Sequence, residues 1–190
     1  NLHPETNDRY MLFGSLKYEL NKQINFTGRV RLDNTYTERE TKLYASTSSV
    51  FAKPLGYYSA DNSYFKQKYV DFMANYSNAL SEDFHLTATL GTSYEEYDNK
   101  GQGFGGHLSL IPNKFIFANT NPLQSGGSQS SSRKSNFAVF GSAELAWRNA
   151  VYLTLTGRTD KPSQLVGSVD PWIFYPSVGL SAVVTDLLPE

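Results

Sequence analysis

Cysteine is absent from this chain of 190 residues, and histidine occurs at only three scattered positions, 3, 85 and 107. Without cysteine the chain cannot form disulfides, thiolate-ligated zinc or iron–sulfur sites, or a thiol nucleophile, and we expect no histidine-based metal motif. No apolar run approaches the roughly 18 residues of a membrane-spanning helix. The 17 basic and 18 acidic residues give a formal net charge of −1, which excludes a polybasic nucleic-acid-binding protein.

Aromatic residues, by contrast, are abundant: 13 Tyr, 12 Phe and 2 Trp make up 14% of the chain. Many of them belong to segments in which apolar and polar side chains alternate. From Ile24 to Tyr36 the even positions are mostly large and apolar, whereas the odd positions are all polar or charged. This period of two predicts a β-strand whose two faces meet different environments.

Six further segments alternate in the same way, and no segment shows a convincing helical period. The seven predicted strands are Tyr10–Leu20, Ile24–Tyr36, Val70–Leu80, Phe84–Tyr94, Phe137–Trp147, Val151–Gly157 and Val178–Val184. We therefore predict an all-β fold, an antiparallel up-and-down meander of about seven strands.

The predicted connections alternate between short and long along the chain. Short turns are expected near residues 21–23, 81–83 and 148–150, and long loops at 38–63, 98–136 and 159–175. In a meander this order places the tight turns at one end and the long loops at the other, as is typical of outer-membrane barrels. Within the second long loop, Gly101–Gly106 and the low-complexity Gln124–Ser135 are predicted to be flexible.

The cost of placing charge in lipid predicts which face of the sheet meets lipid and which meets the lumen. Turning Arg29 and Arg31 toward lipid would cost roughly 2–4 kcal/mol each near the membrane midplane. The apolar face is therefore expected to meet lipid and the polar face the lumen. The predicted lumen-facing residues are Arg29, Arg31, Asp33, Asp71 and Asn75. The alternatives are a small stand-alone outer-membrane barrel and a soluble β-sandwich, either one a ligand-binding or adhesion module.

Neither end of the chain has the features of a complete membrane barrel. The chain begins at Asn1 without an initiator Met or a signal-peptide pattern, and Asp186–Glu190 adds no closing strand. Seven strands also leave a single-chain bacterial barrel incomplete, because such barrels have an even number of strands. We therefore expect a longer parent protein.

Three sequence blocks in the second half carry a family resemblance. They are Asn136–Glu144 (NFAVFGSAE), Tyr152–Arg158 (YLTLTGR) and Phe174–Ala182 (FYPSVGLSA). Together, in this order and spacing, they resemble the SusC/RagA family of TonB-dependent outer-membrane transporters from Bacteroidetes-type bacteria. The blocks cover about a third of the chain.

The resemblance implies a multi-pass, 22-stranded barrel in the cell outer membrane whose lumen is closed by a plug. Residues 1–190 would be one part of that barrel, with the plug domain, the TonB box and the remaining strands outside this sequence. It further implies nutrient uptake, of glycans or peptides, together with TonB and a SusD-like surface lipoprotein. Neither catalysis nor a cofactor is implied.

Aromatic residues in the predicted extracellular loops are the candidate ligand contacts, because they can stack on sugar rings or hold an apolar peptide side chain. These residues are Tyr57, Tyr58, Tyr64, Phe104, Trp172 and Phe174. The alternative is that they pack the loops or belong to the aromatic girdles of the barrel.

No catalytic or metal-binding motif accompanies these residues. Gly101–Gly106 matches the glycine pattern of dinucleotide-binding sites but lacks the preceding strand and the following helix. Glu95, Glu96 and Asp98 are typical of a solvated strand end. We therefore predict a protein that is not an enzyme and holds no metal.

Overall fold

The computed structural model describes residues 1–186, which form seven β-strands and three short 3₁₀ helices. The strands are β1 (Glu5–Glu19), β2 (Ile24–Leu43), β3 (Tyr57–Ala79), β4 (Phe84–Leu108), β5 (Thr120–Trp147), β6 (Val151–Pro162) and β7 (Ile173–Ala182). The 3₁₀ helices are Phe117–Asn119, Ser163–Leu165 and Val184–Asp186. Among residues 1–186, no helix has the length and apolar character needed to cross a membrane. Residues 187–190, in the terminal segment considered above, lie outside the described residues.

All seven strands belong to one sheet, in which each strand lies beside its neighbours in the chain. Pairing is antiparallel, with Leu145 opposite Leu153 between β5 and β6, and Leu153 opposite Leu180 between β6 and β7. The predicted all-β meander is confirmed. A β-sandwich needs two packed sheets, whereas residues 1–186 form one sheet, so the sandwich alternative is wrong.

Three tight turns join β1 to β2, β3 to β4 and β5 to β6, at the positions that the sequence predicted. The first turn is closed by a hydrogen bond of 3.0 Å from the Leu20 amide to the Ile24 carbonyl oxygen. In the third turn, Arg148 (φ 51°) and Asn149 (φ 55°) are left-handed. The Ala150 amide donates to the Trp147 carbonyl oxygen at 2.9 Å, so Arg148 and Asn149 are the central residues of a β-turn, and positive φ at both matches the right-handed twist of the strands.

The strands extend beyond most of their predicted ends, so the long connections are shorter than predicted. The observed connections are residues 44–56, 109–119 and 163–172. Gly101–Gly106 lies within β4 and Gln124–Ser135 lies within β5, so the prediction of flexible loops there is wrong. Glycine and serine have low strand propensity, but pairing with neighbouring strands overrides it. The last strand, β7, begins earlier than predicted and ends at Ala182, before Val184.

Side chains from β3 occupy the space that the glycines of β4 leave open. A Cβ atom added to Gly103 would collide with the Asp61 carboxylate, and one added to Gly105 would collide with the Tyr57 hydroxyl. Glycine in a strand marks such a close approach. The glycine pattern therefore serves packing within the sheet.

Contacts divide the chain into two compact units, each built from several segments. Unit 1 comprises residues 1–11, 33–67 and 97–133, and unit 2 comprises residues 12–32, 68–96 and those from 134 onward. Unit 1 contains the connections 44–56 and 109–119. Unit 2 contains the three tight turns.

Large apolar side chains are not gathered into a core in either unit. Among the described residues, the buried hydrophobic ones are Ala52, Leu108, Ala138, Ala146 and Ala150. The apolar faces of the strands stay exposed, and in unit 2 the exposed fractions reach 76% for Leu16, 64% for Leu90 and 75% for Leu180. Soluble monomers rarely expose continuous apolar surface of this kind, so this face needs an apolar environment.

Candidate functional site

An ion pair between β2 and β3 lies at the centre of the polar face of unit 2. Arg29 donates from Nε and Nη2 to the Asp71 carboxylate, with a shortest distance of 2.7 Å. The Asp71 side chain is fully buried, whereas 41% of the Arg29 side chain is exposed. Arg29 Nη2 also lies 3.9 Å from the Met73 sulfur. The Asp71 carboxylate is thus buried against the sheet, and its partner Arg29 remains partly exposed to solvent.

Arg31 lies two residues further along β2, on the same face as Arg29 because strand side chains alternate. Its guanidinium carbon is 5.5 Å from the centre of the Tyr69 ring, within cation–π distance. Its Nε is shielded from solvent and has no hydrogen-bond partner. Tyr69 and Asp71 are two residues apart in β3 and therefore share this face, and the hydrogen bonds of the Asp71 carboxylate come from Arg29.

The other two predicted lumen-facing residues lie in hydrogen-bond networks of their own. Asn75 donates to Asn25 at 3.0 Å and accepts from the Thr89 hydroxyl at 2.9 Å, which links β2, β3 and β4 within unit 2. Asp33, in unit 1, accepts two hydrogen bonds from Arg9. The structure therefore brings Arg29, Arg31, Asp71 and Asn75 onto one face of unit 2, and Asp33 belongs to the other unit.

A second charged cluster on this face was not among the predicted site residues. Arg158 donates from Nε and Nη2 to Asp160, each at 2.8 Å, and Asn136 donates to the same carboxylate at 2.6 Å. The Arg158 guanidinium also lies 5.9 Å from the Phe140 ring centre. Extending the period-two pattern by one pair of residues, beyond Arg158 to Asp160, would have found this pair. The prediction instead ended the strand there and assigned Asp160 to a loop.

The six aromatic residues predicted to contact ligand do not form one site, and the prediction that they lie in loops is wrong for five of them. Tyr57, Tyr58 and Tyr64 belong to β3, Phe104 to β4 and Phe174 to β7, while Trp172 lies in the connection before β7.

Two of these residues face away from Asp33 in unit 1. The Tyr58 hydroxyl donates to Glu40 at 2.7 Å, and the Tyr64 hydroxyl donates to Asn34 at 2.9 Å. Asn34 and Glu40 are even positions of β2, whereas Asp33 is an odd position, so alternation places them on opposite faces. The side chains of Tyr58 and Tyr64 therefore lie on the face opposite Asp33.

Tyr57 faces the side of Asp33, because it is the neighbour of Tyr58 in β3 and alternates with it. Its ring lies 5.3 Å from the His107 ring. Phe104 packs on Phe117 with ring centres 4.3 Å apart and, with Tyr58, lines a hollow of about 390 Å³. Of these four residues in unit 1, Tyr57 is the one on the polar side that carries Asp33.

Trp172 and Phe174 lie on the apolar face of unit 2. Trp172 packs edge-on against Phe137, with ring centres 6.2 Å apart. A Cβ atom added to Gly157 would lie 3.4 Å from the Phe174 ring, so this ring is on the face of Gly157, whereas the adjacent Arg158 points to the polar face. These two aromatics therefore cover strands on the side opposite the charged cluster.

The contact between Tyr58 and Glu40 changes the protonation of both groups. Burial, together with the hydrogen bond to Glu40, raises the pKa of Tyr58 to about 12. Hydrogen bonds from Lys42 and then from Tyr58 hold the pKa of Glu40 below its usual value. This part of unit 1 therefore keeps a neutral phenol beside a carboxylate over a wide pH range.

The apolar face of unit 2 contains a hollow of about 350 Å³. Its walls include Leu12, Val30, Leu32, Val70 and Tyr94, and Lys68 lies among the lining residues. Among residues 1–186, no group of three or more His, Cys, Asp or Glu side chains is placed to hold a metal ion. The polar face of unit 2 can therefore bind charged groups and amides, and its apolar face can contact apolar groups.

Residues 2–188 match the sequence model of the family described as "TonB dependent receptor-like, beta-barrel". No curated protein sequence matches the chain significantly. Among solved structures, that of the RagAB peptide transporter matches with a TM-score of 0.76 at 19% identity, over 94% of this chain and 20% of the matched chain. Structures of the RagAB peptide importer in the "open-open" and "closed-closed" states each match with a TM-score of 0.75 at 19% identity, with the same coverage. This chain thus spans 20% of the length of the solved chains it matches.

Proposed function

The chain belongs to the TonB dependent receptor-like β-barrel family, and we propose that it forms part of the wall of an outer-membrane importer for peptides. The sequence resemblance to the SusC/RagA family is confirmed by the family match and by the fold shared with RagAB. The described strands are part of a larger β-barrel of the outer membrane. A total of 22 strands stays a prediction.

One observation carries this proposal: a single sheet with paired charges on one face and exposed apolar side chains on the other. In unit 2 the strand segments 24–32, 68–79 and 84–96 are about as long as a tilted membrane-crossing strand requires. We place these segments in the bilayer, with Arg29 and Asp71 toward the lumen. The connections 44–56 and 109–119 are then extracellular, since the long loops of such barrels lie outside the cell.

The chemistry of the polar face favours peptides over glycans as cargo. Of the six aromatics predicted to stack on sugar rings or to hold an apolar peptide side chain, Tyr57 is the one on the polar side. On this face the guanidinium groups of Arg29 and Arg158 are paired with Asp71 and Asp160, whereas the guanidinium of Arg31 and the amide of Asn75 suit a peptide carboxylate and backbone amides. The description of RagAB as a peptide transporter supports the same cargo class.

The proposed importer acts with other components, as the resemblance implies. A SusD-like surface lipoprotein is its proposed partner at the extracellular side, and TonB acts through a plug domain and TonB box outside this sequence. The exposed apolar face of unit 2 contacts outer-membrane lipid in this proposal.

Uptake measurements on the full-length protein test the proposal. The source bacterium, with the gene deleted and then restored, is given fluorescently labelled peptides or labelled oligosaccharides, and a strain lacking the TonB box is the control. We expect deletion and TonB-box loss to abolish peptide accumulation and to leave oligosaccharide accumulation unchanged. Loss of oligosaccharide uptake alone would make the protein a glycan importer, and no loss of either would refute import of both classes.

A further inference from the structure

The chain has seven arginines, all within the described residues, and Arg31 differs from the other six in having no carboxylate partner. Six of them form an ion pair with a carboxylate: Arg9, Arg29, Arg39, Arg133, Arg148 and Arg158. Arg31 has no such pair among residues 1–186, and its shielded Nε has no acceptor. A shielded N–H donor without an acceptor costs free energy. The Nε group of Arg31 therefore lacks the kind of partner that the other six arginines have.

The paired arginines show what kind of partner is missing. Four of them present Nε and Nη2 side by side to one carboxylate: Arg9, Arg29, Arg39 and Arg158. This two-point geometry is the strong form of guanidinium–carboxylate recognition. The unpartnered Nε of Arg31 is the atom at which these other arginines receive a carboxylate oxygen.

The surroundings of Arg31 do not neutralise it. Asp71 is occupied by Arg29, and the Arg31 guanidinium lies over the Tyr69 ring, which leaves Nε without an acceptor. Arg29, two residues away on the same face, has its charge compensated by Asp71, so the unpaired positive charge here is that of Arg31. The polar face at Arg31 therefore attracts an anion and offers it a flat guanidinium already stacked on an aromatic ring.

We propose that Arg31, stacked on Tyr69, is a carboxylate-binding site on the lumen-facing surface of the barrel wall. An incoming carboxylate engages Nε and a terminal nitrogen, with a rotation of the guanidinium over the Tyr69 ring that opens the shielded Nε. The carboxylate comes from an acidic peptide cargo or from a segment of the full-length protein outside this sequence. The first source rests on the proposed function, and the second does not.

The experiment uses the full-length protein purified in detergent. The probes are two labelled pentapeptides with blocked termini, identical except that one carries Asp where the other carries Asn. Dissociation constants are measured for the wild type, Arg31→Gln, Arg31→Lys and the control Arg148→Gln, which removes the same charge at a tight turn. Thermal unfolding midpoints are recorded for these proteins and for Arg31→Glu.

A cargo carboxylate predicts that the wild type binds the Asp peptide about tenfold more tightly than the Asn peptide. Arg31→Gln should remove this preference without changing affinity for the Asn peptide, Arg31→Lys should keep part of it, and Arg148→Gln should keep all of it. Added salt should weaken the preference, because it depends on charge.

A carboxylate from the protein itself predicts a different result. The wild type then shows no preference between the peptides, and Arg31→Gln lowers the unfolding midpoint more than Arg148→Gln does. Arg31→Glu lowers it further, because it sets a negative charge against the facing carboxylate. Without such a carboxylate, the new Glu side chain in Arg31→Glu can interact with Arg29, and its unfolding midpoint is no lower than that of Arg31→Gln.

Absence of both a peptide preference and an excess effect of Arg31→Glu would overturn the carboxylate site. Binding of neither peptide by the wild type would instead count against peptide import, and the unfolding midpoints would then decide the role of Arg31 by themselves. The two proposals therefore fail in distinguishable ways.

Discussion

Single residues on the polar face of unit 2 are arranged around the buried Asp71 carboxylate. Asp71 binds Arg29, and the ring of Tyr69, two residues earlier in β3, lies beneath the guanidinium of Arg31. The sequence predicted that Arg29, Arg31 and Asp71 share a face, because all three are polar members of alternating strands. It did not predict which charges pair, since that depends on the register between β2 and β3.

Replacing Asp71 with Asn should lower the free energy of unfolding by about 2 kcal/mol. Breaking a buried ion pair costs roughly 3–5 kcal/mol, and the partial exposure of Arg29 reduces this cost. Urea unfolding of the full-length protein in detergent measures the change. The control is Glu19→Gln, which disrupts the exposed pair with Lys17 and should have no measurable effect. Equal midpoints for the two variants would contradict the central role of Asp71.

Tyr58, outside the segments proposed to cross the membrane, should titrate near pH 12. Burial and the Glu40 carboxylate both disfavour the phenolate. Because the folded-state pKa is raised, the stabilisation is complete below the unfolded value of about 10 and is lost as the pH rises through about 12. The difference in phenolate absorbance between the wild type and Tyr58→Phe measures this pKa.

Glu40→Gln provides the matched control for this titration. It removes the negative charge but keeps the burial, so the pKa of Tyr58 should fall only part of the way toward about 10. A midpoint near 10 in the otherwise unchanged protein would show that Tyr58 is neither buried nor bonded to Glu40.

The sequence predicted the number of strands correctly but not where several of them end. Period-two alternation located all seven, and the three tight turns lie where they were expected. The strand ends were wrong for β4 and β5, because glycine and serine in Gly101–Gly106 and Gln124–Ser135 have low intrinsic strand propensity. Pairing with adjacent strands stabilises these segments, and neighbouring side chains fill the space over the glycines.

Gly91 in β4 should tolerate no larger side chain, because the space beside it is filled. A Cβ there would lie 2.5 Å from the Phe140 ring and 3.0 Å from Met73. Gly91→Val should therefore destabilise the protein by about 1–3 kcal/mol through overpacking. The measurement is the same urea unfolding in detergent.

Gly179→Val in β7 is the control for Gly91→Val, because the nearest atom to its added Cβ is Thr154 Cβ, at 3.8 Å. This variant should be close to neutral. Adding Phe140→Leu to Gly91→Val should recover part of the lost stability if the clash with the Phe140 ring is the cause. No recovery would point to the backbone of β4 instead.

At the scale of the whole molecule, the two faces of the sheet differ in polarity. In unit 2 the exposed apolar side chains lie on one face, and the ion pairs Arg29–Asp71 and Arg158–Asp160 lie on the other. In the proposed function the apolar face meets lipid. β1 and β7 are the edges of the described sheet. Which face meets lipid and which meets the lumen stays a prediction.

Adjacent residues of β6 test this arrangement directly. Leu155 is on the apolar face and 47% exposed, whereas Thr156 is on the polar face. Leu155→Arg should cost about 2–4 kcal/mol if it lies near the membrane midplane, and it should lower the amount of folded protein in the outer membrane. Thr156→Arg should be tolerated. Heat-modifiable migration on gels quantifies folded protein, and equal losses for both variants would contradict the assignment of faces.

The sequence by itself determined the fold class, the number and order of strands, the tight turns and which residues of each strand share a face. These properties follow from local alternation and turn chemistry, which a single strand expresses without its neighbours. Tertiary structure decided the strand ends, the pairing of Arg158 with Asp160, the face on which each candidate aromatic lies, and the isolation of Arg31. Those properties depend on the register and packing between strands that are distant in sequence, and local patterns do not specify them.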